Sequence, residues 1–290
     1  MQDGELEKVG VIGLGIIGSR VATRLRDSGR HVYVWNRSPK TEPNFLGSPE
    51  EIAQLSEVIQ IFVTDGNGLV EVAESLARKT TQRHTIISNC TADPESVVKA
   101  YQIIKETGAA FLDAPFTGSK LASEKGALVY YVGGDSEALA RARPVLEVSA
   151  KEILVLGRVG EATVLKIATN MITASTVEAL SEAYGLVTSA GISAEQLKEA
   201  IEHNACSSVL TGMKLPTIMQ GDYEPHFSLS NMFKDAQYAL SLAKNLGVEL
   251  PVTTTTANLM FKAMKKGQSD FDFSVLAARY QEAAHKSSSS

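Results

Sequence analysis

Cysteine is nearly absent from the 290 residues: only Cys90 and Cys206 occur. Two thiols build no disulfide framework, and the acidic, polar opening MQDGELEK is unlike a signal peptide, so a reducing cytoplasm is the expected location. Long apolar runs are missing too. Lys166, Glu178 and Glu182 interrupt the best candidate, so no membrane span is expected. Positive charge is not in excess; 28 Lys and Arg against 33 Asp and Glu leave a net charge of −5, which argues against a nucleic-acid or anionic-membrane surface. His31, His84, His203, His226 and His285 show no metal-ligand spacing, so no metal site is expected. Cys90 has no adjacent histidine and reads as packed rather than nucleophilic. Repeats and low-complexity linkers are also missing, and the closing KSSSS reads as a frayed tail.

What is present has the ordinary balance of a globular protein, 44% hydrophobic and 21% charged, at a length that favours two domains. In the first half, short apolar runs alternate with helical spacing. KVGVI (8–12), HVYVW (31–35), VIQIFV (58–63), TIISN (85–89), AFLDAP (110–115), ALVYYVGG (127–134) and EILVLG (152–157) read as strands. Helices are expected near 17–28, 66–79, 93–107 and 135–148. Continuous rather than alternating apolar strands predict a mostly parallel, doubly wound α/β sheet covered on both faces. After Gly160 no strand is expected. Helical runs dominate, with breaks at Gly191, Gly212 to Pro216, Gly221 to Pro225, Gly247 to Pro251 and Gly267. The stretch from 161 to about 190 predicts one helix of roughly 45 Å at about 1.5 Å per residue. The expected domains are 1–160, a Rossmann-like nucleotide-binding domain, and 161–290, an all-helical domain for substrate and subunit contacts. The long helix joins them.

VGVIGLGIIGSR places Gly13, Gly15 and Gly18 in G-x-G-x-x-G spacing between a strand and a helix. Gly13 permits a tight turn, Gly15 lets backbone approach a pyrophosphate, Gly18 lets the helix pack closely, and the helix start favours the anion. Ile16 and Ile17 belong to the same expected cofactor loop. The second strand ends in WNRSPK, with no acid to hold a ribose 2′-hydroxyl. Asn36, Arg37, Ser38 and Lys40 suit a 2′-phosphate instead, Arg37 by stacking or forking onto it. NADP(H) is the expected cofactor.

GEATVLKIATN (160–170) sets Lys166 among apolar and small residues, with Asn170 four residues on and therefore on the same helical face. A buried ammonium is costly without a partner or a task. Spacing alone leaves open a lysine reaching for solvent or pairing with Glu161 or another carboxylate.

Four motifs in order, GLGIIG, DAPFTGSK (113–120), GEATVLKIATN and HFSLSNMFKDAQYAL (226–240), resemble those of the β-hydroxyacid dehydrogenase family, particularly its glyoxylate and succinic semialdehyde reductase branch. The resemblance implies that Lys166 faces the reacting carbonyl. There it stabilises the growing oxyanion and supplies its proton, with Asn170 holding the lysine or the substrate hydroxyl. It implies a substrate carboxylate at Thr117, Gly118 and Ser119, with Lys234 reaching that carboxylate or the cofactor, and Asp235 and Phe227 shaping the corner. NCTADP (89–94) would place Thr91 beside the nicotinamide. Thr64 lies in the loop after the third strand, where Thr64-Asp65 departs from the family's Leu-Pro and the sequence offers no reason for Asp65. Phe116 replaces a small aliphatic residue and is expected to narrow the pocket; Lys120 adds charge there or faces solvent. The expected activity is NADPH-dependent reduction of a small aldehyde or keto acid. Alternatives are imine reduction on the same fold, another 3-hydroxyacid dehydrogenase of the tartronate semialdehyde or hydroxyisobutyrate type, and a cofactor-binding scaffold without catalysis, against which Lys166 argues. A homodimer or homotetramer through the helical half is expected.

Overall fold

The structure is a computed structural model that describes residues 7–281; the KSSSS tail and His285 lie outside the described residues. The chain divides into two compact units between Lys166 and Ile167.

In the first unit β1 (Lys8–Ile12), α1 (Ile16–Asp27), β2 (His31–Trp35), α2 (Pro49–Leu55), β3 (Val58–Ile61), α3 (Gly66–Ala77), β4 (Thr85–Ser88), α4 (Pro94–Glu106) and β5 (Ala110–Asp113) alternate. β6 (Phe116–Thr117), α5 (Lys120–Glu124), β7 (Leu128–Gly134), α6 (Ser136–Leu146) and β8 (Ala150–Val155) follow. The sheet order is β2-β1-β3-β4-β5-β7-β6, with β8 paired to β7. β1 to β5 run parallel, whereas β7 is antiparallel to both β5 and β6. The antiparallel register runs unbroken from Leu112 opposite Gly134 to Thr117 opposite Val129, so β5 and β6 are one strand interrupted at Ala114 and Pro115.

The central strands are buried throughout, as continuous apolar runs require. On one face α1 and α6 bring Val21, Leu25, Leu139 and Val145 against Val9, Val11 and Leu112. On the other α2, α3 and α4 bring Ile52, Leu69, Leu76 and Ile104 against Ile59, Ile61 and Phe111. The outer strands depart from the expected two-sided cover. β7 alternates between buried and half-buried residues, its buried ones packed in the cluster of α1 and α6, and β8 is largely exposed. Helix starts are written into the sequence as caps: Ser48, Asp65, Asp93 and Asp135 each accept a bond from a backbone N–H two or three residues into the helix. That explains Asp65. Its carboxylate accepts from Gly68 N–H at 2.9 Å and opens α3.

α7 (Glu161–Ser189) is one helix of 29 residues. In the second unit α8 (Ala194–Glu202), α9 (Val209–Gln220), α10 (Leu229–Leu246), α11 (Pro251–Lys265) and a short 3₁₀ turn (Phe273–Ala277) follow. No strand occurs here among the described residues. The expected break at Gly212 to Pro216 is corrected: both residues lie inside α9. Ser208 and Thr211 start that helix with reciprocal hydrogen bonds, and burial of Thr211, Leu215 and Ile218 carries it past the one N–H that Pro216 lacks. Val177, Met232, Met260 and Phe273 form its main core.

A buried ion pair closes this unit. Lys214 Nζ donates to Asp272 Oδ1 at 2.6 Å, and the same carboxylate accepts from His226 N–H, Phe227 N–H and Ser274. Burial raises the Asp272 carboxyl, but the Lys214 ammonium and the hydrogen bonds outweigh it and leave the group below its ordinary 3.8. Asp272→Ala is therefore expected to cost about 3–5 kcal/mol in urea unfolding at neutral pH, since Lys214 is left buried without its charge partner. A depressed carboxyl stabilises above its unfolded value. The gap between wild type and variant is thus expected to narrow as pH falls below 3.8 toward the lower value of the folded protein.

Candidate active site

The three glycines after β1 are required for different reasons. Gly13 has φ +94°, and a Cβ there would lie 2.3 Å from the Phe62 carbonyl oxygen. A Cβ on Gly18 would lie 2.0 Å from the Gly13 oxygen, so packing of α1 on the turn forbids it. At Gly15 a Cβ meets nothing within 4 Å, and φ of −74° suits any residue. The protein itself does not need a glycine there; a group from outside the chain that approaches the backbone does. α1 starts at this point without a side-chain cap, which leaves its first N–H groups and its positive end for an anion. The residues present fit a dinucleotide pyrophosphate. Ile16 is exposed beside it, and Ile17 packs on the core.

The end of β2 divides between bracing and display. Asn36 Oδ1 accepts from Leu14 N–H at 3.0 Å, its Nδ2 donates to the Ser38 carbonyl at 2.8 Å, and Lys40 Nζ donates to the Leu14 carbonyl at 2.5 Å. Asn36 and Lys40 thus hold the glycine loop in shape. Arg37 and Ser38 are exposed, and among the described residues the Arg37 guanidinium has no hydrogen bond or ion pair. Thr64 is exposed just before the Asp65 cap.

The ends of β4 and β5 are laced together. Asn89 Nδ2 donates to the Ala114 carbonyl at 2.7 Å, Ala114 N–H donates to the Ser88 carbonyl, and Tyr131 N–H donates to the Pro115 carbonyl. This fixes the base of the 116–119 segment; Thr91, two residues after Asn89, is half-buried. Cys90 is buried and its thiol donates to the Ile61 carbonyl. Phe116 is half-buried, and its ring packs on Phe62 and Tyr130, each at 6.1 Å between centroids. Thr117 is half-buried at the strand's end. Gly118 turns at φ +141°, where a Cβ would press on Leu128. Ser119 Oγ accepts from Ala122 N–H at 3.2 Å as the cap of α5, and its O–H remains a donor. Lys120 is half-buried on α5.

Asp113 is the residue that reading the sequence missed. It is fully buried, and both its oxygens are spent on the start of α7: from Gly160 N–H at 2.9 Å, Thr163 N–H at 3.0 Å and the Thr163 hydroxyl at 2.7 Å. Burial pushes its carboxyl up to about 6 despite those bonds. The available signal was an acid closing an otherwise apolar strand.

Lys166 lies one turn beyond Thr163 and is 7% exposed, which excludes a side chain reaching out to solvent. Glu161, one of the alternative partners, is held by Arg158 through both the backbone N–H and the guanidinium. Asn170, 8% exposed, follows on the same face of α7. Within the second unit Asn170 Nδ2 donates to Asp235 Oδ2 at 2.6 Å, and Asp235 Oδ1 lies 3.0 Å from Lys234 Nζ. Asp235 is 1% exposed, so the Lys234-Asp235 pair is not a solvated helix face. Lys234 also lies 4.8 Å over the Tyr238 ring. Phe227 is half-buried and meets Phe273 edge-on at 6.4 Å. Among the described residues no cluster of three or more His, Cys, Asp or Glu could hold a metal ion, and no helix is long and apolar enough to cross a membrane.

Comparison with known proteins gives two family matches. Residues 8–157 match the NAD binding domain of 6-phosphogluconate dehydrogenase, and residues 160–280 match the NAD-binding region of NADP-dependent 3-hydroxyisobutyrate dehydrogenase. The chain is 30% identical over 291 residues to glyoxylate/succinic semialdehyde reductase 2, chloroplastic, of Arabidopsis thaliana, covering 95% of this chain and 81% of that one. It is 28% identical to 2-hydroxy-3-oxopropionate reductase of Escherichia coli (strain K12), covering 93% of this chain and 95% of that one. Among solved structures, 3-hydroxyisobutyrate dehydrogenase of Mycobacterium tuberculosis with L-serine shares the fold at TM-score 0.86 and 24% identity, covering 95% of this chain and 99% of that one.

The glycine geometry separates two variants. Gly18→Ala is expected to lower the melting temperature, because its Cβ collides with backbone. Gly15→Ala is expected to leave melting of the free protein unchanged while weakening dinucleotide binding by about tenfold or more, read by fluorescence titration. Equal binding by Gly15→Ala and wild type would place the pyrophosphate elsewhere.

Proposed function

For this chain, which belongs to the β-hydroxyacid dehydrogenase family and is an NAD(P)-dependent oxidoreductase, we propose that the reaction is NADPH-dependent reduction of a small aldehyde or keto acid, with Lys166 as the proton donor. The observation that carries this reading is the burial of one ammonium-bearing side chain at the start of α7. Lys166 is 7% exposed, one turn from a helix end tied to Asp113, which opens the segment leading to Thr117, Gly118 and Ser119.

The bound cofactor supplies a hydride to the carbonyl carbon. The carbonyl oxygen gains negative charge as this happens, and the Lys166 ammonium stabilises that charge and transfers one proton to it, leaving a hydroxyl and a neutral amine that solvent reprotonates. The hydroxyls of Thr117 and Ser119 and the backbone N–H groups around Gly118 bind the substrate carboxylate. Asn170, held by Asp235, orients the substrate hydroxyl, and Lys234 adds positive charge toward the acid or the cofactor. Thr64, Thr91 and Phe227 contribute to the nicotinamide surroundings. The exposed guanidinium of Arg37 and hydroxyl of Ser38 take the 2′-phosphate, since no acid at the end of β2 would repel it. The relatives named for glyoxylate, succinic semialdehyde and 2-hydroxy-3-oxopropionate support short carbonyl acids as the first substrates to test. Exposed Leu165, Ile172 and Leu186 along α7 support assembly as a homodimer or homotetramer.

Two measurements test this reading. With NADPH and a panel of glyoxylate, succinic semialdehyde and a cyclic imine, followed at 340 nm, turnover of an aldehyde acid is expected to fall at least about 100-fold in Lys166→Ala. Turnover of the imine alone would overturn the reading in favour of imine reduction, and binding without turnover would favour a scaffold. Arg37→Ala is expected to raise KM for NADPH by about tenfold while leaving KM for NADH within twofold; equal effects would contradict NADP(H) selection by Arg37.

A further inference from the structure

We infer that Asp113 and Thr163 are positioning residues for the Lys166 ammonium: together they lock the first turn of α7 to the base of the Thr117–Ser119 segment. The inference rests on the reading of Lys166 given above.

Two facts distinguish this contact from an ordinary helix cap. Asp65, Asp93 and Asp135 each cap the helix that follows them directly, and each accepts one bond. Asp113 caps from 47 and 50 residues away and accepts three bonds through both oxygens. A local Ser or Asp before α7 would satisfy the same N–H groups without burying a carboxylate. The chain instead leaves Gly160 there, at φ +94°, and buries the acid completely, at the cost that its raised carboxyl records.

The location of the tie gives it a use. On one side, Asp113 is continuous with Ala114 and Pro115, whose carbonyls are held by Asn89 and Tyr131, so the segment that reaches Thr117 two residues later starts from a fixed point. On the other side, Thr163 lies three residues before Lys166, a rise of about 4.5 Å along the helix. Sliding or rotating α7 against that segment would break all three bonds to Asp113. The distance between the ammonium and a carbonyl bound at Thr117–Ser119 is thereby set by buried hydrogen bonds in one compact unit. A displacement of about 1 Å at a reacting atom costs on the order of 100-fold in rate.

Thr163→Val tests the idea because it keeps the shape and the backbone N–H and removes only the hydroxyl bond. In the NADPH-loaded enzyme with glyoxylate, Thr163→Val and Asp113→Ala are expected to lower kcat by about 10- to 100-fold with KM for NADPH within twofold. Thr163→Ser is expected to restore kcat. Asp113→Asn is also expected to restore it, accepting from both N–H groups through its oxygen while its amide donates to the threonine hydroxyl. If Thr163→Val and a folded Asp113→Ala turn over at the wild-type kcat while Lys166→Ala is inactive, the positioning role is overturned and the Lys166 reading stands. Wild-type turnover in Lys166→Ala would overturn both.

Discussion

A carboxylate buried in the interior of the first unit ties the sheet to the start of the helix that carries Lys166. Asp113 closes β5, and one of its oxygens accepts from the Gly160 and Thr163 N–H groups at the start of a helix 29 residues long, the other from the Thr163 hydroxyl. Strand ends on one edge of a parallel sheet gather ligands because the chain must leave the sheet there, and loops from successive strands converge. The glycine turn after β1, the Asn89–Thr91 segment after β4 and the Thr117–Ser119 segment after β5 all leave from that edge. Asp113 adds the start of α7 to the same group.

The two sides of the chemistry are stabilised differently. Around the glycine loop the groups left on offer are backbone N–H groups and exposed side chains, with Asn36 and Lys40 spent on bracing the turn. Gly15, Ile16, Arg37 and Ser38 are exposed there, as suits a ligand that must enter and leave. In the second unit Asn170 and Asp235 are almost fully withdrawn from water and held together by a hydrogen bond, with Lys234 beside Asp235; in the first unit Lys166 is likewise buried. Excluding water strengthens every charge interaction and fixes orientation before substrate arrives.

Local features could be read from the sequence, and long-range polar contacts could not. The glycine loop, the strand and helix alternation and the long α7 follow from periodicity and spacing within a few residues. Asp65 was unexplained only until its helix was seen; its N-cap role is local. The break expected at Gly212 to Pro216 failed because propensity yields to burial of Leu215 and Ile218. Phe116 packs on Phe62 and Tyr130, a pairing between segments distant in the chain that spacing does not reveal. Asp113 with Thr163, and Lys214 with Asp272, pair residues 50 and 58 apart in the chain. No local pattern connects such partners. Only a polar residue at an otherwise apolar position marks them.

The central claim is that the nitrogen at position 166 gives a proton and does not merely place charge near the carbonyl. Chemical rescue of the Lys166→Ala enzyme tests it most directly, with small primary ammonium ions of graded acidity set against tetramethylammonium, which carries charge but no transferable proton. The account predicts turnover that rises with primary ammonium concentration and varies with its acidity, and none with tetramethylammonium. Equal rescue by both would contradict proton donation.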